Sequence, residues 1–221
     1  MKFDAKTIQI LKNFSTINPS IVVKPGKVLA TISQTKTILA RAKIDQELTA
    51  TFGIYDLNRF LSTLSLFENP SIEIGETEMI IKSGSRKATY RFTPAELIMS
   101  PPERELKFPD AEVDFDLLGN DLQECIKALN VLGLPEVAVI GNGSNIMLQA
   151  IDSKNPSCDI YSTTVGETTD TFKMIFRAEN LKMIPGNYKV MISSKGLSKF
   201  YNDEIEYYIS VESNSEFNKV N

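Results

Sequence analysis

The same order of elements occurs twice along the chain. In the first half, a helical segment precedes two apolar runs, SIVVK and KVLATIS, which flank a Pro25-Gly26 turn. In the second half, DLQECIKALNVL precedes EVAVI and NIMLQAI, which flank Gly141-Asn142-Gly143 about 116 residues later. Each pair of apolar runs predicts a β-hairpin that follows a helix. The repetition predicts two folding units of similar architecture.

A proline-rich segment separates the two halves. Residues 93–109, TPAELIMSPPERELKFP, contain four prolines and no regular apolar alternation, which favours an extended connector over a helix or a sheet strand. We therefore predict an N-terminal domain over 1–94, an interdomain connector over 95–108 and a C-terminal domain over 109–221.

The later elements also match between the halves. A strand at 50–55 is followed by a helix that begins after Asp56 and by two strands, SIEI and EMIIKS. The second half has TFKMIF, a short helix around Ala178 to Met183, and the strands YKVMIS and IEYYISVES. Four helices among some sixteen strands predict an α+β fold in which two helices per domain pack on antiparallel sheets.

Composition excludes several kinds of chemistry. The chain has no His, which rules out Ser-His-Asp and Cys-His catalysis and zinc sites that need imidazole. Cys125 and Cys158 are too few for an all-cysteine zinc site, and two thiols in this length suit a reducing compartment. We predict no metal, no cofactor and free cysteines.

Neither a signal peptide nor a membrane span is indicated. The first residues, MKFDAKTIQILKNF, alternate charged and apolar groups, and no run approaches the ~18 apolar residues of a membrane-spanning helix. We expect a cytoplasmic protein with no membrane partner.

An acidic run is the strongest argument for an enzyme. Paired carboxylates can perform acid-base chemistry, and Asp110, Glu112, Asp114 and Asp116 alternate along the chain. The same spacing fits the solvent face of a strand whose inward residues are Val113, Phe115 and Leu117. Because the sequence contains no nucleophile-base pairing and no phosphate-binding glycine loop, we favour the structural interpretation and predict that the protein is not an enzyme.

The two halves carry opposite charge. Residues 1–94 hold 13 basic and 8 acidic side chains, a net of +5, whereas residues 95–221 hold 11 and 20, a net of -9. Chance is one explanation of this contrast. Docking between the halves, or head-to-tail contact between copies, is the other.

The helices concentrate basic residues on their polar faces. Asp4 can cap the first helix, whose apolar face holds Ile10, Leu11 and Phe14, while Lys2, Lys6 and Lys12 lie on the opposite face. The second helix exposes Arg59 and no acid, and the third and fourth offer Lys127 and Lys182 beside Glu124 and Glu179. A solvated surface explains such lysines equally well. If these helices share one surface, it would attract a phosphate backbone without reading bases.

Three segments carry a resemblance to a known family. They are LKNFSTINPSIVVKPGKVLATIS (11–33), IYDLNRFLSTLSLF (54–67) and NLKMIPGNYKVMISSKG (180–196). The chain resembles the sliding clamp, or DNA polymerase processivity factor, of T4-type bacteriophages. The resemblance implies the DNA-clamp fold and a head-to-tail homotrimeric ring whose helices line a central hole and whose sheets form the outer wall.

The resemblance also implies partners and sites. A clamp-loader ATPase would close the ring around double-stranded DNA in the host cytoplasm, the clamp would tether the replicative DNA polymerase, and some relatives also serve late-transcription factors. The DNA-facing candidates are Lys2, Lys6, Lys12, Arg59, Lys127 and Lys182.

Clamps of this family capture partner peptides in an apolar pocket beneath the connector. This implies lining by Leu97, Ile98 and Met99 and by Tyr207, Tyr208, Ile209 and Val211. The apolar triplet could instead pin the connector to a sheet. Since successive strand residues face opposite sides, only one of Tyr207 and Tyr208 can face the pocket.

A monomeric binder of single-stranded nucleic acid, or a monomeric replication accessory protein, is the alternative function. Strand-rich folds with exposed aromatic rings can stack bases. The aromatic content of 9% is ordinary, and Phe14, Phe52, Phe60 and Phe67 fall on apolar faces, so core packing accounts for them.

Overall fold

A computed structural model of the chain describes residues 1–104 and 106–218. The chain forms two compact units, Met1–Arg104 and Glu105–Asn221, and the division falls within the segment predicted as a connector. In both units antiparallel strands predominate over helices.

The first unit contains two α-helices and seven strands within the described residues. Strand β1 pairs with β4, β2 pairs with β3, and the last three strands form a sheet in the order β5-β6-β7. The elements are α1 Ala5–Ile17, β1 Ile21–Val23, β2 Gly26–Ile32, β3 Ile38–Leu48, β4 Phe52–Ile54, α2 Leu57–Ser65, β5 Ser71–Ile74, β6 Glu78–Ser83 and β7 Arg86–Arg91.

The hairpin predicted around Pro25-Gly26 is wrong, because β1 pairs with β4 and places Ile21 opposite Ile54. Both of these strands are buried along their whole length, whereas β2 exposes Lys27 and Val28 near its start. Pairing the two buried strands with each other keeps every apolar side chain away from water. Gly26 has φ 117°, a backbone conformation that favours glycine, and the chain turns there from β1 into β2.

Helices α1 and α2 share one apolar core. Phe14 and Phe60 have no exposed surface, and the edge of Phe3 meets the Phe60 ring with centroids 6.2 Å apart. Tyr90 of β7 packs on the same ring at 5.1 Å, which ties α2 to the three-stranded sheet. Full burial of one such phenylalanine stabilises the fold by roughly 1.5–3 kcal/mol.

The second unit contains one α-helix and nine strands within its described part. One antiparallel sheet has the order β11-β10-β9-β12-β16, and four further strands pair as β15-β14-β13-β8. The elements are β8 Val113–Leu117, α3 Gly119–Leu132, β9 Glu136–Asn142, β10 Asn145–Ile151, β11 Tyr161–Glu167, β12 Thr171–Arg177, β13 Tyr188–Ser193, β14 Leu197–Tyr201, β15 Ile205–Ser210 and β16 Glu216–Asn218.

Two local predictions for this unit are confirmed. Strands β9 and β10 form a hairpin, with the Asn142 carboxamide accepting the backbone N–H of Asn145 at 2.8 Å. In β8, Val113, Phe115 and Leu117 are buried while Asp114 and Asp116 are exposed. Asp114 and Asp116 therefore lie on the solvent face of a strand, as predicted, whereas Asp110 and Glu112 precede the strand and Glu112 accepts hydrogen bonds from Ser194.

The predicted helix around Ala178 to Met183 is wrong. Only one turn of 3₁₀ helix forms, at Ala178–Asn180, and the chain then continues irregularly to β13. Pro185 disfavours helical geometry at the residue before it, which leaves too few residues for a stable α-helix. The expectation of two helices per domain holds in the first unit and fails in the second.

Candidate nucleic-acid interface

Helix α1 and the residues just before it carry Lys2, Lys6 and Lys12. The Asp4 carboxylate caps the helix by accepting the Thr7 N–H at 2.6 Å, and this backbone hydrogen bond is the main reason that the pKa of Asp4 is lowered. Leu11 and Phe14 are buried on the inner face. Lys2 and Lys12 are exposed, so their charges are available to a ligand.

Lys6 differs from Lys2 and Lys12. Its Nζ lies 4.0 Å from Oδ1 of Asp45 in β3, and 29% of its side chain is exposed. The neighbouring Thr7 hydroxyl donates to the Gln46 side chain at 2.6 Å, so this side of the helix is joined to β3. A phosphate would compete with Asp45 for Lys6, which ranks Lys6 below Lys2 and Lys12 as a phosphate ligand.

Helix α2 adds one cation beside α1. Asp56 caps it by accepting the Arg59 N–H at 2.9 Å, and Arg59 is exposed. A groove of about 400 Å³ runs between α1 and α2, and both Lys2 and Lys12 line it. Its remaining walls are mainly apolar and are formed by Phe3, Ala5, Ile8, Leu61, Leu64, Phe67, Pro70 and Ile72, with Ser65 and Asn69.

Arg86 is a further cation near the end of α2, and the sequence did not indicate it as a DNA-binding candidate. Its guanidinium donates to the carbonyl oxygen of Leu66 at 3.3 Å and lies 5.9 Å from the centre of the Phe67 ring. Leu66 ends α2, so Arg86 complements the negative end of the helix dipole. The sequence gives little indication of a DNA-binding role for Arg86, because this residue follows a Gly84-Ser85 turn and resembles an ordinary turn residue.

The second unit presents its candidates differently. Lys127 is exposed on α3 and lines a cleft of about 620 Å³ together with Gln123 and Asn130. The opposite wall is the irregular segment Leu181 to Gly186 rather than a second α-helix. Lys182 belongs to this segment and is exposed.

Two buried tyrosines hold the irregular segment in place. The Tyr207 hydroxyl accepts the N–H of Ile184 at 3.0 Å, and the Tyr188 hydroxyl donates to the Ile184 carbonyl oxygen. Burial raises the pKa of Tyr207, and it raises the pKa of Tyr188 to about 12, so both hydroxyls stay protonated at neutral pH. The hydrogen-bonding groups that Ile184 would use in a helix are therefore engaged by side chains.

The connector residues divide into one buried and two exposed side chains. Ile98 is 7% exposed, whereas Leu97 is 69% and Met99 is 44% exposed. A single turn of 3₁₀ helix at Ala95–Leu97 precedes them. The triplet therefore anchors the connector through Ile98 and presents two apolar side chains to solvent.

The predicted pocket residues in β15 and directly after it lie in the interior. Tyr207 and Ile209 have no exposed surface, and Tyr208 and Val211 are 7% and 9% exposed. Tyr207 packs edge-on against Tyr188, with ring centroids 6.0 Å apart. Tyr208 faces Phe108, with ring centroids 6.4 Å apart, and the Lys199 ammonium lies 5.2 Å from the centre of its ring. Tyr207 and Ile209 are core residues, so their prediction as pocket residues is wrong. Alternation places the two on the same face of the strand but does not tell which face lines a pocket.

Neither a metal centre nor a membrane helix is found in the described ranges. Across 1–104 and 106–218, no three Asp, Glu or Cys side chains cluster as metal ligands would. Over the same ranges, no helix combines the length and apolar character needed to span a membrane.

Two family models match the chain, one in each half. The model for the DNA polymerase processivity factor matches residues 2–91, and the model for the gp45 sliding clamp, C-terminal part, matches residues 114–213.

Whole-length relatives agree with the family models. The chain is 34% identical to the sliding clamp of Vibrio phage KVP40 over 220 residues, which is 96% of this chain and 99% of that protein. It is 31% identical to the sliding clamp of Enterobacteria phage T4, over 97% of this chain and 98% of that protein. Among solved structures, A. fulgidus PCNA superposes with a TM-score of 0.69 at 10% identity, covering 95% of this chain and 96% of PCNA. The fold is therefore that of the DNA clamps.

Proposed function

This chain belongs to the sliding-clamp family of DNA polymerase processivity factors, and we propose that three copies of it form a closed ring around duplex DNA. A ring holds its polymerase near the primer end, so rebinding becomes an intramolecular event at high effective concentration. Processivity then rises without tight contacts to DNA. The protein itself supplies no chemistry.

Sheet edges support the head-to-tail arrangement. Within the described residues, β7 pairs only with β6, and β11 pairs only with β10. The proposed ring places β7 of one copy beside β11 of the next, which covers both edges. The edge of β7 is basic because Lys87 and Arg91 are exposed, and residues 95–221 carry a net charge of -9 that complements it.

The positions of the lysines are the main support for the proposed DNA-binding surface. In a protein of net charge -4, Lys2 and Lys12 border one groove, and the polar face of α1 bears no exposed acid. Cations on helix surfaces bind phosphates without reading bases, which allows the ring to slide. The proposed DNA contacts in the first unit are Lys2, Lys12 and Arg59, and Arg86 is a further contact that the sequence did not indicate. Those in the second unit are Lys127 and Lys182. Lys6 is proposed as a weaker contact because Asp45 lies beside it.

The proposed partners are those that the resemblance to phage sliding clamps implies. A closed ring cannot thread onto circular or blocked DNA by itself, so a clamp-loader ATPase opens and closes it. The replicative polymerase binds the loaded ring, and late-transcription factors use the same tether. All of this takes place in the cytoplasm of the infected host.

The connector is the proposed contact for partner peptides. Leu97 and Met99 are exposed apolar side chains on a segment whose intervening residue, Ile98, is buried. A. fulgidus PCNA, a protein of the same fold, was solved with the C-terminal region of FEN-1 bound. Such a peptide would cover Leu97 and Met99, whereas Tyr208 and Val211 are nearly buried and offer little surface to a partner.

Retention on circular DNA tests the closed ring. We expect labelled clamp, loaded with its loader and ATP on nicked circular duplex, to stay bound through gel filtration and to leave after a restriction cut linearises the DNA. Equal retention on both forms would contradict encirclement. Preference for single strands would favour a monomeric single-strand binder instead.

A further inference from the structure

The residues that lead into the connector are joined to β4. The Thr93 N–H donates to the Gly53 carbonyl oxygen at 2.9 Å, and the two residues form an isolated antiparallel bridge. Next to this bridge, the rings of Phe52 and Phe92 stack with centroids 4.7 Å apart and planes 21° apart. The entry to the connector is therefore fixed to the core of the first unit.

Gly53 leaves the space that the connector occupies. A Cβ at this position would lie 2.3 Å from the Thr93 carbonyl oxygen and 2.8 Å from Cδ1 of Ile98. Both distances are shorter than van der Waals contact, and the first involves backbone, which cannot yield as a flexible side chain does. Close approach of the connector to β4 consequently requires glycine here.

Ile98 fills this space and orients its neighbours. Its side chain is 7% exposed, and its N–H donates to the Ala95 carbonyl oxygen at 3.1 Å, which closes the short 3₁₀ turn. With Ile98 directed inward, Leu97 and Met99 on either side are directed to solvent.

We propose that Gly53 and Ile98 form an anchor that positions Leu97 and Met99 for partner peptides. This inference rests on the proposed function of the connector as a peptide contact. Gly53 touches no peptide itself and is a positioning residue. An anchored connector binds more tightly than a mobile one, because less conformational freedom is lost on binding.

Two anchor variants and one glycine control test this proposal in the full-length clamp. Gly53→Ala forces the connector away from β4, and Ile98→Val removes only the Cδ1 methyl group. Gly186→Ala is the control, because a Cβ there meets no atom within 4 Å. The readouts are affinity for a labelled peptide from the C-terminal segment of the partner polymerase, native mass and amide hydrogen exchange.

We expect Gly53→Ala to weaken peptide binding at least tenfold and Ile98→Val to weaken it about threefold, equivalent to about 1.4 and 0.7 kcal/mol. Exchange at the Thr93 and Ile98 amides should accelerate, while native mass stays that of the wild type and the control binds normally. If both variants fold and their Thr93 and Ile98 amides exchange faster, yet the peptide binds with wild-type affinity, then the anchor does not position the peptide contact.

A separate variant distinguishes failure of the anchor from failure of the peptide site. Leu97→Asp with Met99→Asp should abolish peptide binding if the connector is the contact. Undiminished binding by that double variant would refute the peptide site itself, whatever the anchor variants show.

Discussion

The Tyr207 hydroxyl accepts the backbone N–H of Ile184 at 3.0 Å inside the second unit, 23 residues away in sequence. Tyr188 donates to the carbonyl oxygen of the same residue. Together they hold the segment that carries Lys182 in an irregular conformation where the sequence predicts a helix. This pair of hydrogen bonds therefore shapes the lysine-bearing surface of the second unit.

Tyr207→Phe should destabilise the second unit. Removal of the hydroxyl leaves the partly buried Ile184 N–H without its acceptor, which costs about 1–3 kcal/mol of unfolding free energy. Urea unfolding measures this loss, and the Ile184 amide should exchange faster. Tyr55→Phe is the control because Tyr55 is 65% exposed. Equal stability of the two variants would mean that the hydrogen bond contributes nothing measurable.

Asp4→Ala should lower stability in a pH-dependent manner. Loss of the N-cap costs about 0.5–2 kcal/mol at pH 7. Because the folded-state pKa of Asp4 lies below its ordinary value of 3.8, the contribution is complete above that value and disappears as the pH falls through the folded pKa. Urea midpoints of wild type and variant should thus converge in acid. A difference that is constant from pH 7 to pH 3 would contradict the cap as the cause, and Asp159→Ala is the exposed control.

Neutralising Lys2 and Lys12 together should weaken the binding of the clamp to DNA. Each lysine that binds a phosphate contributes about 0.9 to the slope of log K against log[salt], so the double Gln variant should have a slope shallower by up to about 1.8. Salt-dependent dissociation from duplex DNA gives the slope. Lys154→Gln with Lys195→Gln, two exposed lysines away from the helices, is the matched control. An unchanged slope would show that Lys2 and Lys12 do not face the duplex.

Charge reversal on β7 should loosen the ring. Lys87→Glu with Arg91→Glu replaces the basic edge by an acidic one, and like charges across an interface between copies are unfavourable. The midpoint of dissociation on dilution should shift to higher protein concentration, and more so at low salt. Lys173→Glu on β12 is the control. If the β7 variant dissociates as the wild type does, complementary charge is not what joins the copies.

Sequence reasoning succeeded where the pattern was local. Asp4 and Asp56 mark the starts of α1 and α2, and alternation along Val113 to Leu117 identified a strand with an acidic solvent face. The α+β fold and the resemblance to phage sliding clamps are confirmed by the whole-length relatives and by the fold of A. fulgidus PCNA.

Sequence reasoning failed where residues distant along the chain determine the local structure. Strand β1 pairs with β4 because both are buried, and no local signal reports the burial of a strand thirty residues away. Pro185 prevents the helix predicted around Ala178 to Met183, and the irregular conformation found there is held in part by Tyr207, which lies 23 residues beyond Ile184. The role of Gly53 was invisible for the same reason, since only the fold brings Thr93 and Ile98 against it.

Native mass across a dilution series tests the closed ring most directly. A homotrimeric ring predicts a species of three times the 24.7 kDa chain mass, which dissociates only on dilution. Native mass spectrometry or light scattering gives this mass without a loader, DNA or a partner peptide. A single 24.7 kDa species at every concentration would contradict the ring and return the protein to the class of monomeric binders.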